Sequence, residues 1–507
     1  MPAPDVSAPV GALRDPGTRR GIAFRPDVEG LRAVAIIAVV GSHAGLPLLS
    51  GGFVGVDVFF VISGFLITGL LVAEIGSTGR VSLGRFWARR ARRLLPAATL
   101  VLAVVAIASY WMIPALDHGS VGLDITASAL YVANMRYAVQ ATDYLAADSA
   151  PSPVLHFWSL GVEEQFYVVW PLLILGLLAL EVRRRTAAGR TLPRSHLAVA
   201  LAGLGILSFL LSLRLTDRVQ PWAFFGMPTR AWEFAIGGLL AIGAAQLLRL
   251  PSAMRGAIGW LGAIVLLGSV VLLNDDVAYP GTAALWPVLG TAAVIAAGAS
   301  SSEVGVPGLL STWPMRAVGR LSYSWYLWHW PFLVLAASVL GDLATPTKVA
   351  LVLAALIPSA VAYRFVERPL HHLPSLVAST RRSLLLGGAL SAAAALAGLA
   401  LAGLPGGGSM ATAVTLGAAA DEQTGRGVAS APPSTPPASP SAKPSTSAST
   451  SAIGWPKGAI TPNPARARGD IPSIYGDGCH LQAAATAPPN ACAFGDTSAA
   501  TTVVLLG

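Results

Sequence analysis

The sequence predicts an all-α polytopic membrane protein, on three observations. Hydrophobic residues make up 54% of the 507-residue chain and charged residues 12%, against about 25% charged in an ordinary soluble protein. Mean hydropathy is +0.63. The apolar residues also fall in runs of about 20, the length that carries a helix across a bilayer core. The formal net charge of +9 is mostly arginine. Those arginines lie between apolar runs and not on a soluble basic face, so a nucleic-acid partner is not expected.

Eleven runs qualify as spanning helices. They lie near residues 28–46, 53–75, 96–115, 156–180, 197–215, 229–247, 256–273, 282–299, 321–340, 348–365 and 384–404. The first does not read as a cleavable signal: a polar leader, residues 1–21, precedes it, no small-residue cleavage site follows, and a second run comes at once. Basic residues mark alternate connections. They crowd the N-terminal part (Arg14, Arg19, Arg20, Arg25), the segment after the second run (Arg80 to Arg93), the one after the fourth (Arg183 to Arg194) and the one after the tenth (Arg364, Arg368, Arg381, Arg382), which includes a cytoplasmic loop at residues 371–383. "NDDVAYPG" has no basic residue and "GDLATPTK" has one. The bias predicts a cytoplasmic N-terminus, a multi-pass protein of the cytoplasmic membrane and, after the eleventh helix at 384–404, an extracytoplasmic tail.

That tail changes character. Residues 405–470 include "SAPPSTPPASPSAKPSTSASTSA", an extended Pro/Ser/Thr/Ala linker expected to be disordered. Residues 471–507 hold the only two cysteines, Cys479 and Cys492. On an outer face a Cys479–Cys492 disulfide is expected, with free thiols as the alternative. "TTVVLLG", at the end, has the pattern of a buried strand and reads as the start of an external domain.

Inside the membrane, polar residues are expensive and usually functional. The first run carries Arg32 and His43. Eleven residues make just over three turns, so the two share a helix face about 16 Å apart. His43 is expected about half-way into the bilayer; its bland role is a hydrogen bond to a neighbouring helix. The fourth run reads "HFWSLGVEEQFYVVW", where His156, Ser159, Glu163, Tyr167 and Trp170 share one face. Face arithmetic alone selects Glu163 over Glu164. The ninth reads "RLSYSWYLWHWPF", aligning Ser322, Trp325, Tyr326 and His329; an interfacial aromatic belt explains the rings but not the histidine. The second run adds Asp57 and Ser63 among Gly51, Gly52, Gly55 and Gly64, which allow close helix packing.

Histidines beside a carboxylate suit the deprotonation of a hydroxyl, and equally suit a transporter's proton relay. The arginines of "RFWARRARRLLP" bear on that choice. Arg89, Arg90, Arg92 and Arg93 are denser than topology needs, and guanidinium groups make paired contacts to phosphate. An acyl coenzyme A fits them, with anionic phosphates, a long arm and a reactive thioester at its tip; anionic lipid headgroups are a rival ligand.

Taken in order, these elements resemble the membrane acyltransferase-3 family of bacterial surface O-acyltransferases, over residues 22–370. The family's Arg/Lys-x10-His element is matched by Arg32 and His43. Its arginine motif is matched by "RRARRLLP", and further elements by "FFVISG", "FWSLGVEEQFY", "SYSWYLWHWP" and "ERPL". The resemblance implies a ten-helix acyltransferase bundle plus an eleventh helix, and transfer of an acyl group, often acetyl, from cytoplasmic acyl-CoA to a hydroxyl of a cell-surface glycan or lipid-linked sugar. Some members continue into an external SGNH-hydrolase-like α/β domain. "TTVVLLG" resembles the strand before that domain's Gly-Asp-Ser block, and the sequence stops at Gly507 ahead of the Asp and Ser; no SGNH activity is expected from what is present.

The resulting expectations are specific. Arg89, Arg90, Arg92 and Arg93 hold donor phosphates. His43 is general base or transient acyl acceptor, Arg32 orients the donor or stabilises developing charge, and Glu163 or His329 assists the proton path or positions the acceptor. Asp57, Ser63, His156, Ser159, Tyr326 and His329 line the acceptor and proton path. Acyl-CoA is a co-substrate; no resident cofactor or metal is expected. The alternative is a proton-coupled glycan or lipid transporter or flippase, against which the lack of an internal repeat counts.

Overall fold

The computed structural model describes residues 24–142, 150–184, 194–274, 276–299 and 305–404. These form an all-α polytopic membrane protein with no strand among the described residues. The leader, the linker, residues 471–507 and the expected Cys479–Cys492 pair lie outside them.

In chain order the helices are α1 (Pro26–His43), α2 (Gly55–Thr78), α3 (Leu83–Met112), α4 (His118–Ala129), α5 (Ala133–Gln140), α6 (Phe157–Arg184), α7 (Arg194–Arg218), α8 (Gln220–Phe225), α9 (Met227–Ile242) and α10 (Ala244–Leu247). There follow α11 (Ser252–Leu272), α12 (Leu285–Ala297), α13 (Val306–Leu310), α14 (Trp313–Leu340), α15 (Thr345–Ala354), α16 (Leu356–Ala362), α17 (Arg368–His372), α18 (Pro374–Val377) and α19 (Thr380–Ala402). A π-helical turn, Tyr363–Glu367, joins α16 to α17, and a 3-10 segment, Pro47–Val54, leads into α2.

All eleven apolar runs fold as helix. Among the described residues, seven stretches are long and apolar enough to cross a membrane: α2 with its lead-in, α3, α6, α7, α11, the run from α15 through α17, and α19. The other four have local reasons for falling short. Helix α1 carries Asp27, Glu29 and Arg32; α9 and α12 have 16 and 13 residues; α14 contains the polar-aromatic run from Tyr323 to Trp330.

Two features depart from the sequence reading. The third apolar run begins not at 96 but at Leu83, so the arginine cluster lies on α3 and not in a loop. Alanine, arginine and leucine are strong helix formers and extend the helix back through "RFWARRARR". Helices α4 and α5 were also unmarked by hydropathy, being short and half polar. Helix α4 nevertheless packs on α19, where a Cβ on Gly122 would fall 2.5 Å from the Gly398 carbonyl oxygen.

Helix α1 starts with Pro26 at its first turn and with Asp27 and Glu29 there, a favourable complement to the helix dipole. It packs against α14 and α2, and α2 packs against α9. The α2–α9 approach is at backbone contact: a Cβ on Gly64 would sit 2.0 Å from the Phe234 carbonyl oxygen, and one on Gly237 2.0 Å from that of Val61. Small residues are what allow such closeness between helices in a bilayer.

Candidate active site

Helix α1 stops at His43 because the chain turns left-handed at Gly45, with φ +73°. The Leu46 N–H then reaches back to the Gly41 carbonyl at 3.0 Å, closing a glycine cap. His43 is thus the last residue of a helix about 27 Å long by its 18-residue count, not a mid-helix group. It remains partly exposed.

Helix α14 meets it with a proline device. Pro331 has no N–H, so the Leu327 carbonyl four residues earlier lacks its helical donor. His156, just ahead of α6, fills the vacancy: its Nε2 lies 3.2 Å from that oxygen. His329 Nδ1 lies 2.7 Å from the Tyr326 carbonyl oxygen and 3.2 Å from that of Trp325. A carbonyl only accepts, which assigns the proton of neutral His329 to Nδ1 and a lone pair to Nε2. That Nε2 is 2.9 Å from His43 Nδ1. His43 therefore donates from Nδ1 and keeps its lone pair on Nε2. The two rings stack at 5.2 Å and 8°, and His156 stands edge-on to His329 at 5.7 Å.

Beside this trio lies a small chamber of about 60 Å³, lined among others by Arg32, Phe59, Ser63, Ser159, Glu163 and Tyr326. Arg32 donates to Ser322 Oγ from NH2 at 2.9 Å and lies over the Phe59 ring at 5.5 Å. The Glu163 carboxylate accepts from Ser63 Oγ and Tyr167 OH, joining α2 to α6. Ser159 Oγ and Tyr326 OH are 2.6 Å apart. Tyr326 also packs on His329 at 5.5 Å and on His156 at 5.4 Å, so it belongs to both chamber and trio. His43 itself lines neither the chamber nor the basin described next.

The chamber adjoins a basin of about 790 Å³ through shared residues, Arg32, Leu66, Arg90, Arg93 and Tyr323. Eight arginines and three glutamates line it. Arg85 is 3.5 Å from Glu74 and Arg320 3.5 Å from Glu29. Arg89, Arg90, Arg93 and Arg368 make no ion pair among the described residues. Unneutralised guanidinium groups around one cavity form a site for an anion. The basin sits at the start of α1, beside Phe24, Arg25 and Glu29, whereas His43 ends that helix.

Two residues expected at the site stand elsewhere. Arg92 is buried on the far side of α3, donating to Ser383 Oγ at 2.8 Å and to the Leu376 carbonyl at 3.2 Å; it ties α3 to α19 and does not line the basin. Asp57 belongs to a separate, fully buried ion cluster. Its Oδ1 is 3.0 Å from Arg230 NH2, and Arg230 Nε is 3.0 Å from Glu233 Oε1. The remaining residues converge: Ser63, Ser159, Glu163 and Tyr326 at the chamber; His43, His156 and His329 in the trio; Arg89, Arg90 and Arg93 at the basin. Trp170 is a packing residue, its Nε1 donating to Thr68 Oγ1 at 2.8 Å.

Sequence reasoning missed Arg230 and Glu233, although charges inside the run at 229–247 were a signal. It also gave no role to Glu367, whose carboxylate accepts from Ser324 Oγ at 2.8 Å.

Comparisons with known proteins bear on this arrangement. The family model described as an acyltransferase domain, acyltransferase-3, matches residues 25–364. The chain is 31% identical over 366 residues to the peptidoglycan O-acetyltransferase OatA of Listeria monocytogenes, covering 70% of this chain and 57% of that protein. It is 31% identical over 359 residues to YrhL of Bacillus subtilis, named "putative peptidoglycan O-acetyltransferase", covering 68% and 55%. The chain thus matches just over half the length of these relatives. No solved structure matches it.

Proposed function

The chain belongs to the acyltransferase-3 family, and from that premise we propose that it is an integral membrane O-acyltransferase. It moves an acyl group, acetyl first of all, from cytoplasmic acyl-CoA to a hydroxyl of an extracytoplasmic or lipid-linked glycan. The observation that carries this reading is the placing of an arginine-rich basin, with Arg89, Arg90, Arg93 and Arg368 free of ion pairs among the described residues, and a histidine with a free lone pair at opposite ends of α1. The basic connections support a cytoplasmic N-terminus and, with it, a donor basin open to the cytoplasm. The Listeria relative's name supports a peptidoglycan acceptor.

In this reading Arg89, Arg90 and Arg93 hold the donor's phosphates, and its arm runs past Arg32 into the chamber. His43 Nε2 then acts in one of two ways. As base it takes the acceptor hydroxyl's proton while that oxygen attacks the thioester carbonyl; the C–S bond breaks and CoA thiolate leaves. As carrier, Nε2 attacks the thioester carbonyl and CoA thiolate leaves; the acceptor hydroxyl then takes the acyl group, the N–acyl bond breaks, and the freed Nε2 takes the hydroxyl's proton. In both, the Nδ1–H bond to His329 holds the ring in the tautomer that frees Nε2.

The test is reconstitution in liposomes with envelope extract and labelled acetyl-CoA, following CoA release and label transfer. Turnover in the wild type that is lost in His43→Ala supports the reading. Turnover that survives in His43→Ala removes His43 from the chemistry. No turnover and no donor binding by the wild type favours the transporter alternative. Label retained on the protein after acid quench separates carrier from base.

A further inference from the structure

The basin has a second polar wall that the donor reading above leaves unused. Helix α3 supplies Arg89, Arg90 and Arg93, and α17 supplies Arg368 and His371, which lie three residues apart and so share a face. The intervening π turn, Tyr363–Glu367, turns Glu367 inward onto Ser324. Such turns often mark functional sites. Arg368 is exposed and makes no ion pair among the described residues. His371 Nδ1 is buried with no hydrogen-bond partner. A buried polar nitrogen without a partner calls for one.

The two walls differ in place. Arg90 and Arg93 line both basin and chamber, next to where a thioester arm enters. Arg368 and His371 line the basin alone. Coenzyme A likewise carries two separate phosphate groups, the pyrophosphate at the root of its arm and a 3′-phosphomonoester on the ribose.

Resting on the acyl-CoA reading, we infer that Arg368 and His371 form a subsite for the 3′-phosphate of the donor, while the α3 arginines hold its pyrophosphate. The subsite makes the protein selective for coenzyme A thioesters over their 3′-dephospho analogues. One or two charge-assisted hydrogen bonds correspond to about ten- to a hundredfold in affinity.

The experiment compares acetyl-CoA with 3′-dephospho-acetyl-CoA on the full chain in liposomes, for the wild type, Arg368→Gln and His371→Gln. The wild type should show a KM for the dephospho donor about ten- to a hundredfold higher. Each substitution should raise the KM for acetyl-CoA toward that value and leave the KM for the dephospho donor where it was, which also shows that the variant is folded. Arg368→Gln, at an exposed position, carries the test if His371→Gln is poorly made. Equal use of both donors by the wild type overturns the subsite and leaves the acyl-CoA reading standing. Variants that weaken both donors alike also overturn it. Failure of both donors to be turned over or bound overturns the subsite together with the reading beneath it.

Discussion

His43 Nδ1 lies 2.9 Å from His329 Nε2, and the direction of that bond is set by two backbone carbonyls on the far side of His329. In the proposed mechanism the acting residue is thus held by one that touches only protein. His329→Ala removes the acceptor that keeps the His43 proton on Nδ1. Its kcat should fall about 10²- to 10³-fold, the range of an acid–base contribution, while the KM for donor stays near wild type. Initial rates of CoA release over a donor titration measure both.

Pro331→Ala restores a backbone N–H facing the Leu327 carbonyl. That donor competes with His156 for the oxygen it now holds at 3.2 Å. The helix should gain stability, since proline in a helix interior costs about 3 kcal/mol, and catalysis should fall. Thermal unfolding in detergent and turnover, measured on one preparation, should move in opposite directions; a variant unchanged in turnover would show that His156 needs no anchor.

Arg92 and Arg93 are neighbours with opposite expectations. Arg93 lines the basin, so Arg93→Ala should raise the donor KM about tenfold or more and leave the melting temperature close to wild type. Arg92→Ala leaves Ser383 and the Leu376 carbonyl without their charged donor, at a cost of about 1.5–3 kcal/mol per bond lost. It should melt earlier and, in the folded fraction, bind donor normally. Paired melting curves and KM values decide between binding and bracing for each position.

The Asp57–Arg230–Glu233 cluster should behave as a structural brace. Arg230→Met strands two buried carboxylates and should cost about 3–5 kcal/mol. Replacing all three by apolar residues of like size should recover much of that loss. Denaturation in mixed micelles gives the order; a single variant as stable as wild type would contradict it.

Much of this molecule is legible in its sequence, for a physical reason. A bilayer imposes one length and one polarity, so the eleven helices follow from hydropathy, and Arg32, His43, His156, Glu163 and His329 stand out as polar residues where polarity is expensive. What hydropathy does not carry is rotation about a helix axis relative to its neighbours. Asp57 was grouped with the histidines because it shares α2 with Ser63, yet six residues of helix turn it toward α9 and Arg230. Arg92 differs from Arg93 by a single residue, a rotation of about 100°, and faces α19 where Arg93 faces the basin. The end of α1 is set by a glycine cap that an apolar window cannot see, so the run read as 28–46 ends as helix at His43.

The step in size from a basin of about 790 Å³ to a chamber of about 60 Å³ has a consequence for what can be delivered. The narrow part is walled by Phe59, Phe60 and Tyr326, rings that leave little slack. On the proposed donor path those rings would act as a ruler, favouring a two-carbon cargo over a fatty one. Phe60→Ala, read out with acetyl- and longer acyl-CoA donors, should then widen the range of chains transferred; an unchanged range would remove the ruler.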